Sequence, residues 1–423
     1  HGLHYRKAYD LLGGDSLVNI ADQNNPDLFF FEGDIIDYNN DSFIHWGGGF
    51  AQVEFSNGFI SAFVNVSAAL SAYNRVDYFK AKDLMLNDTT YIQSIDHNDT
   101  IVHNGISYHT DSPEARTSES GWQNLPGYTA KAGVNFNLSK NHNIFVNGGY
   151  LSRAQRFSNV IHSSNRVLDN IDNEEVMAAE LGYSGKFSFI NYNLNGYFTR
   201  WNNRPLDRIP STQIDGESVL GVMSGISANH IGFEVDAFAS PFKWLELEGM
   251  LSIGNWTWDS EGTIKWFNEE GERVDDGGGG ASTHYDARGV HVGDAAQTQG
   301  SLSVKFRPIR GLYLQVRYSH FSRYYAAFEP TDLDGSVNNI NEDGTSKDSW
   351  VIPSFNLLDA NVGYSFKWAK KVRTSLRFGV KNLLGHNYIS DADNNGVGNG
   401  HDAESAFVFF GSATSVTSRR DLN

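Results

Sequence analysis

Polar and apolar residues alternate throughout the chain with a period of two, which is typical of β-strands that have one apolar face. Leu358, Ala360 and Val362 fall on one such face, whereas Asp359 and Asn361 fall on the other. Helical spacing is rare. The alternation predicts thirteen strands, at residues 42–56, 58–73, 121–138, 142–155, 173–185, 187–201, 223–240, 242–257, 296–307, 311–325, 350–367, 371–386 and 403–415.

The predicted strands are joined alternately by tight turns and by long loops. The tight turns lie near 56 and at 139–142, 184–186, 240–242, 307–311 and 368–371. The long loops lie at 74–120, 156–172, 202–222, 258–295, 326–349 and 387–402. Strands of soluble sandwiches and propellers usually have about 5–6 residues, and these are longer. We therefore predict an all-β fold, a transmembrane antiparallel β-barrel.

Charged side chains are confined to one face of the predicted strands. The middle of the apolar faces has no Lys, Arg, Asp or Glu, and a basic residue at the lipid midplane costs about 2–4 kcal/mol. The opposite faces carry Glu234, Asp236, Lys305, Arg317, Asp359, Arg373, Arg377 and Lys381. Aromatic residues predict an interfacial girdle, with Phe187, Trp244, Phe306, Phe366 and Trp368 beside the tight turns and Trp201, Trp256 and Trp258 near the other rim.

The composition excludes several classes of protein. The 423 residues include 50 acidic and 33 basic ones, and the net charge of −17 argues against nucleic-acid binding. The chain has no cysteine, so disulfides, thiolate metal sites and thiol nucleophiles are excluded. No run approaches 18 consecutive apolar residues, and the mean hydropathy is −0.41, which excludes a helical membrane protein.

Motifs are spread over nearly the whole chain. They are HYRKAYDLLGGD at 4–15, followed by the strand at 33–56, EEVMAAELGYSGKF at 174–187, NGYFTRWNNRPLD at 195–207, GVKNLLGHNYI at 379–389 and FVFFG at 407–411. The segment GVKNLLGHNYI contains an Asn-Leu-x-x-x-x-Tyr signature, formed by Asn382, Leu383 and Tyr388. In order and spacing, these segments resemble TonB-dependent receptors of the outer membrane, especially those of Bacteroidetes-type bacteria.

The resemblance implies a barrel of 22 strands, in which the thirteen predicted here would be strands 10 to 22. Residues 1–41 would then be an extracellular loop segment, and residues 42–423 the C-terminal portion of the barrel. The family's N-terminal plug domain and TonB box have no counterpart in the sequence, and the aromatic residue on which members usually end is also missing. We therefore expect the chain to be a piece of a longer protein.

The function that the resemblance implies is active import. The complete receptor would bind a scarce ligand in its extracellular loops and import it by TonB-driven movement of the plug. Its partners would be TonB, outer-membrane lipid and a ligand that stays open among siderophore, haem, cobalamin, glycan and peptide. No chemistry on the ligand, no catalytic residue and no resident cofactor are expected. The alternatives are an autotransporter-type barrel with an upstream passenger and a passive porin.

Two further features of the sequence were considered as functional sites. GDSL at residues 14–17 is a hydrolase tetrapeptide with Ser16 as the nucleophile, but such a serine needs a His and an orienting acid. The downstream Asp-x-x-His is absent and no strand–turn–helix surrounds Ser16, so we expect a polar loop residue.

The inward-facing arginines Arg317, Arg373 and Arg377 admit two interpretations: they belong to a solvated wall that faces the plug, or they line a permeation path.

The stretch DADNNGVGNGHD, at residues 391–402, has the ligand spacing of an EF-hand calcium loop. An EF-hand needs helical flanks, and here both flanks are predicted strands, so the stretch is predicted to be the last extracellular loop. Its oxygens could still bind calcium without helices, and the alternative is a solvated turn. The predicted ligands are the side chains of Asp391, Asp393, Asn395 and Asp402 and the carbonyl of Val397.

Overall fold

In the residues that it describes, the computed structural model is built mainly from β-strands, with a short 3-10 helix at Phe157–Asn159. This confirms the predicted all-β fold. The described part of the chain contains no helix whose length and hydrophobicity would let it cross a membrane. The structure describes residues 2–7, 17–18, 22, 24, 29–31, 33–80, 84–86, 89–91, 100–109, 112, 118–163, 165–168, 172–204, 211–214, 216–222, 225–268, 274, 283–328, 333, 339–369, 372–394, 402–404 and 406–422.

Fourteen strands of the described residues follow one another across one sheet in the order in which they occur in the chain. Their bounds are β1 Gly2–Lys7, β2 Ile35–Ser56, β3 Ile60–Asp77, β4 Gln123–Ser139, β5 His142–Arg153, β6 Glu174–Lys186, β7 Ile190–Arg204, β8 Ile226–Phe242, β9 Leu245–Trp258, β10 Ala296–Phe306, β11 Leu312–Tyr325, β12 Phe355–Ala369, β13 Val372–Lys381 and β14 Ser415–Leu422.

Every neighbouring pair in this sheet is antiparallel. Two short strands extend it, because Ser118–Glu119 pairs with β3 and Val351–Ile352 pairs with β11. Tight turns can join antiparallel neighbours directly, and this explains why the order in space follows the order in sequence. The pairing path runs from β1 at one end to β14 at the other.

The two faces of the sheet differ in polarity, as the alternation predicts. One face, here called the apolar face, leaves large apolar side chains exposed. Residues that alternate with these along a strand, such as Glu248 and Ser252 of β9, lie on the opposite, polar face, because successive side chains of a strand point to opposite sides. The exposed members of the apolar face include Val64, Val66, Leu181, Phe198, Ile231, Phe233, Leu251, Ile253, Leu302, Val304, Leu314, Val316, Leu376 and Phe378.

The long connections contain smaller β-structures of their own. Four strands form a separate antiparallel sheet, here called the loop sheet, and its members are Ser211–Ile214, Glu217–Val222, Glu261–Phe267 and Thr283–Asp286. The other loop strands pair as hairpins: Leu17–Val18 with Phe29–Phe30, Leu84–Leu86 with Thr89–Tyr91, Ile101–His103 with Ile106–Tyr108, and Ile389–Asn394 with Ala406–Phe410.

A hydrophobic core lies between the loop sheet and the end of the main sheet. Ile264 and Tyr285 of the loop sheet are almost fully buried, and they pack in one cluster with Trp258 of β9. A second cluster joins Tyr73 of β3 to Ile161 in the loop after β5. Apolar side chains are therefore buried at the long-loop end of the sheet and exposed along its strands.

Twelve of the thirteen predicted strands coincide with β2 to β13, with ends that differ by up to seven residues. The largest difference is at the start of β2, which begins at Ile35 rather than 42 because residues 35–41 pair with β1. The predicted thirteenth strand, 403–415, is wrong. The sheet ends with β14, while Ala406–Phe410 pairs with Ile389–Asn394 in the preceding loop. Whether residues 1–41 face the cell exterior stays a prediction.

Candidate ligand-binding cleft

A recessed cleft lies on the polar face at the long-loop end of β5 to β9. Its volume is about 470 Å³, which lies in the range of small-molecule sites. Its wall combines charged and aromatic side chains from five strands and one loop. The lining residues are Arg153, Arg156, Glu174, Tyr197, Thr199, Trp201, Arg204, His230 and Trp256.

A buried carboxylate forms one side of the cleft. Glu174 begins β6 directly opposite Arg153 at the end of β5, so the register brings the two side chains together. Arg153 Nε lies 2.5 Å from Glu174 Oε2, and Glu174 is only 2% exposed. The other carboxylate oxygen, Oε1, has no hydrogen-bond partner among the described residues. The ion pair therefore fixes the side chain and leaves its second oxygen buried without a partner in the described structure.

Aromatic side chains from three strands form another side. Trp256 Nε1 donates a hydrogen bond of 2.9 Å to Tyr197 Oη. The ring of His230 lies 5.6 Å from that of Trp256, and His230 Nδ1 is buried without a hydrogen-bond partner in the described structure. Tyr197 lies across the strand from Gly232, where a Cβ would collide with the phenol ring. A glycine at that position lets the tyrosine lie flat along the wall.

A third arginine is held by aromatic rings. The guanidinium carbon of Arg204 lies 5.9 Å from the ring of Trp201 and 5.4 Å from that of Trp258. Such cation–π contacts contribute about 0.5–1 kcal/mol at exposed sites and more when desolvated. Since Trp258 also belongs to the buried loop core, Arg204 links the wall of the cleft to that core.

Amide side chains brace the strand ends beside the cleft. Gln155 Nε2 donates to the carbonyls of Asp172 at 3.0 Å and Asn203 at 2.7 Å. Asn203 Nδ2 in turn donates to the Asn173 carbonyl at 3.1 Å, and Asn173 Nδ2 donates to Ser152 Oγ at 2.9 Å. These bonds tie the ends of β5, β6 and β7 together, so the cleft is preorganised on rigid elements.

Sequence reasoning did not identify this cleft. Trp201, Trp256 and Trp258 are predicted to form part of the aromatic girdle at the rim, which is wrong for all three: Trp201 lines the cleft on the polar face beside Tyr197. Trp256 and Trp258 share the parity of Glu248 and Ser252 along β9 and therefore also lie on the polar face. Counting the alternation through to the strand end would have placed them correctly. Glu174 gave no signal beyond its place at the start of a strand.

The predicted calcium ligands are only partly covered by the structure. Asp391 and Asp393 lie on one face of the strand Ile389–Asn394, and Asp391 Oδ1 accepts a bond of 3.0 Å from the Ala392 amide. Asp402 Oδ1 accepts one of 3.1 Å from the amide of Glu404.

Asn395 and Val397 lie outside the described residues, as does Ser16. Within the described ranges, no three His, Asp or Glu side chains are grouped so that they could hold a metal ion. Neither flank is helical, but the flanking strands differ from the predicted ones: Ile389–Asn394 includes the first four residues of the stretch and pairs with Ala406–Phe410, which follows it. The calcium site stays a prediction.

The charged residues predicted for the polar face do lie there. Arg317 of β11 is directly opposite Asp359 of β12, and its Nη2 lies 3.3 Å from Glu248 Oε2. Arg373 and Arg377 of β13 occupy the same face at alternate positions. This pairing fits a structured polar wall, and it leaves the two interpretations of the arginines open.

The sheet has an exposed apolar face, a charged polar face and a recessed cleft at its long-loop end. These features are typical of the wall of an antiparallel β-barrel. A family profile described as "TonB dependent receptor-like, beta-barrel" matches residues 2–383. The chain belongs to this family. No curated protein matches it.

Several solved structures share the fold. The copper transporter OprC has a TM-score of 0.53 at 13% identity, covering 96% of this chain and 52% of that chain. The ferric yersiniabactin uptake receptor FyuA from Yersinia pestis has a TM-score of 0.51 at 11% identity, covering 91% of this chain and 47% of that chain. The ferric citrate transporter FecA in the unliganded form has a TM-score of 0.50 at 14% identity, covering 91% of this chain and 55% of that chain. The likeness concerns the fold, and the chain spans about half the length of these structures.

Proposed function

We propose that the chain forms part of an outer-membrane receptor that imports a scarce ligand by TonB-dependent transport. Membership of the family over residues 2–383 supports this function. The observation that carries the proposal is the cleft, because a recessed site with polar and aromatic walls lies at the long-loop end of a sheet whose other face is apolar and exposed.

In this proposal each part of the sheet has a separate task. The apolar face contacts lipid, since transmembrane strands alternate apolar residues outside with polar residues inside. The polar face lines the lumen beside the plug, and the long loops and the cleft bind the ligand from the cell exterior. TonB acts on the plug, which is contributed by the rest of the receptor. The ligand stays open among siderophore, haem, cobalamin, glycan and peptide.

Deletion of the full-length gene tests the proposal. Uptake and growth would be measured on candidate ligands from these five classes, in strains with and without functional TonB. We expect the deletion to abolish uptake of at least one ligand, and removal of TonB to have the same effect. Restoring the wild-type gene would be the control. Normal uptake of every TonB-dependent ligand in the deletion strain would contradict the proposal.

A passive porin is separated from a receptor by its permeability. The full-length protein would be reconstituted into liposomes, and swelling would be followed in small sugars. A receptor whose lumen holds a plug stays nearly closed, whereas a porin gives fast, size-dependent swelling. The upstream gene sequence separates the autotransporter alternative, which would show a passenger domain in place of a plug.

A further inference from the structure

Like charges lie directly opposite each other on the polar face of the last three strands. Lys367 of β12 is opposite Arg373 of β13, and Arg377 of β13 is opposite Arg419 of β14. We call these four residues the basic patch. The Cβ atoms of directly opposite residues are about 4.5–5.5 Å apart, and like charges at such positions are destabilising. Two such pairs in neighbouring strands indicate that a negative charge from outside the sheet compensates them.

The polar face is acidic on some strands and basic on others. On β8 and β9 it carries the carboxylates of Glu234, Asp236, Glu246 and Glu248. On β12 to β14 it carries five basic residues, Lys367, Arg373, Arg377, Lys381 and Arg419, and two acidic ones, Asp359 and Asp421. Asp359 is opposite Arg317 and accepts a hydrogen bond of 2.9 Å from the Asn382 amide. Asp421 is opposite Ser375, between the two like-charged pairs, and one carboxylate cannot balance four cations.

The basic patch has hydrogen-bond donors to spare. Lys367, Arg373 and Arg377 are exposed, and in the described structure they form no hydrogen bond or ion pair. Between the two like-charged pairs, Ser365 and Ser375 are opposite each other, with 2.8 Å between their Oγ atoms. A floor of two hydroxyl groups flanked by cations offers donors to carboxylate oxygens, which only accept.

The size of the basic patch indicates what it binds. It extends over four residues along the strands, about 14 Å, and over three strands across the sheet, about 10 Å. A single small anion cannot contact all four cations, whereas a protein surface with several Asp or Glu side chains can. Guanidinium groups form paired N–H contacts with carboxylates. In the receptor proposed above the polar face lines the lumen, so such a surface would belong to the domain that fills it.

We propose that the basic patch docks an acidic surface of the domain that fills the lumen, and that several carboxylates of this surface contact Lys367, Arg373 and Arg377. The inference rests on the receptor function proposed above, in which that domain is the plug. It assigns Arg373 and Arg377 to a contact between domains rather than to a permeation path.

Photocrosslinking in the full-length receptor, reconstituted in lipid, tests this contact. p-Benzoylphenylalanine would replace Ser375 at the centre of the basic patch and, in a second protein, Leu376, which is 44% exposed on the apolar face. We expect the label at 375 to crosslink to a peptide outside residues 1–423 in which Asp and Glu outnumber Lys and Arg. The label at 376 should give no such product. Mass spectrometry identifies the crosslinked peptides.

Neutralising the basic patch should weaken the contact. Arg373→Gln combined with Arg377→Gln should lower the crosslink yield from 375 by about ten-fold, because each charge-assisted contact that is lost weakens binding by about that factor. Raising NaCl from about 0.05 M to about 0.5 M should lower the wild-type yield, since salt screens exposed charges, and should affect the double variant less. Arg377→Lys keeps the charge and should keep most of the yield.

Lys131→Gln is the matched control. Lys131 is an exposed cation of the polar face on β4, and it is opposite Asn65 and Gly149, so it has no like charge across from it. Its substitution removes one positive charge from the same face without touching the basic patch. The crosslink yield from 375 should stay at the wild-type level.

The sign of a stability change separates a docked patch from an uncovered one. If no acidic surface covered the patch, Arg377→Gln would relieve the repulsion by Arg419 and raise the Tm of the receptor. We expect the Tm to fall, because the variant loses a contact with the docked domain. Heat unfolding of the full-length receptor in lipid vesicles measures this without a crosslinking label.

Three results would overturn the inference. The first is crosslinking from 375 to no peptide, to a peptide without an excess of acidic residues, or only to a membrane strand. The second is an equal crosslink yield in the wild type and the double variant, and the third is a higher Tm in Arg377→Gln. None of them touches the receptor function itself, which fails only if deletion of the gene leaves all TonB-dependent uptake intact.

Discussion

The strands of the main sheet and the loops at its end treat apolar side chains in opposite ways. On β9, Leu251 and Ile253 are 43% and 44% exposed, whereas Ile264 and Trp266 of the loop sheet are 0% and 2% exposed. Both regions are β-structure made of the same residue types. The difference shows that the loop sheet buries its apolar side chains in a core shared with the strand ends, whereas the middle of the strands requires an apolar surrounding to cover one face.

The largest effect is expected from Trp266→Ala, which tests the buried side of the comparison. Removing a large aromatic side chain from a core costs about 3–5 kcal/mol. The loop sheet should open, seen as faster hydrogen exchange in Glu217–Val222 and Glu261–Phe267. Phe233→Ala, on the apolar face, is the matched control and should leave the exchange of the loop sheet unchanged. Equal loosening by both variants would contradict a core that is confined to the loop end of the sheet.

The exposed side of the comparison is tested by a charge. Leu251→Arg places a guanidinium in the middle of the apolar face, where we expect a loss of about 2–4 kcal/mol in the free energy of unfolding in lipid vesicles. Ser252→Arg is the matched control. It places the same side chain at the next residue of β9, which lies on the polar face beside Glu234, and should change the free energy of unfolding little. If the two substitutions were equally destabilising, the two faces would not have different surroundings.

The stability of the loop after β5 should depend on pH, because that loop contains the buried histidine His162. Burial, together with Lys80, Arg75 and Arg166, lowers the pKa of His162 from 6.5 to about 4. Since the imidazole is neutral in the folded loop and protonated in the opened loop, the stability present above pH 6.5 is lost as the pH falls towards 4. At pH 5 the loss would be about 2 kcal/mol.

Hydrogen exchange of residues 157–168 at pH 7 and pH 5 measures this loss, after correction for the intrinsic exchange rate. His162→Gln is the control, and its loop should have the same stability at both values. A wild-type loop that is no less stable at pH 5 would show that the histidine carries no proton-linked cost.

The smallest effect is expected where the last strands meet their loop. Asn382 has a φ of 49°. Its side chain accepts from the His386 amide at 2.9 Å and donates to the carbonyls of His386 at 2.8 Å and Ser412 at 3.3 Å. Asn382→Ala should cost about 1–2 kcal/mol, through lost hydrogen bonds and an unfavourable left-handed backbone. Asn382→Gly keeps the backbone freedom, so it should cost less in urea unfolding. An equal cost would rule out backbone strain.

Most of the sheet was predictable because the alternation of side chains is a local property. The alternation of Leu358, Ala360 and Val362 with polar residues predicts their strand without any knowledge of the neighbouring strands. The last strand was not predictable, because Ser415–Leu422 lacks the alternation: Arg420 shares the face of Val416 and lies opposite Leu376. Its place is determined by its pairing with β13, to which a long connection with its own hairpin returns it.

The cleft was not predictable for a related reason. Its residues come from five strands and a loop between 153 and 256, and Glu174 becomes a site only through a burial that no local pattern encodes. The calcium stretch shows the converse, since its complete ligand spacing is visible in the sequence, whereas residues 395–401 lie outside the described part of the structure and the site stays a prediction. Local periodicity therefore predicted the wall, and the assembly of strands determined the cleft.

The measurement that tests the central claim most directly is an accessibility scan along β9. Residues 1–423 contain no cysteine, so single cysteines can be introduced from 247 to 254 and spin-labelled in the full-length receptor reconstituted in lipid, once any cysteine elsewhere in it has been replaced. We predict a period of two, with labels at 247, 249, 251 and 253 relaxed by oxygen dissolved in lipid and the others relaxed by a water-soluble nickel complex. Equal access of the nickel complex to both sets would contradict a lipid-facing apolar side.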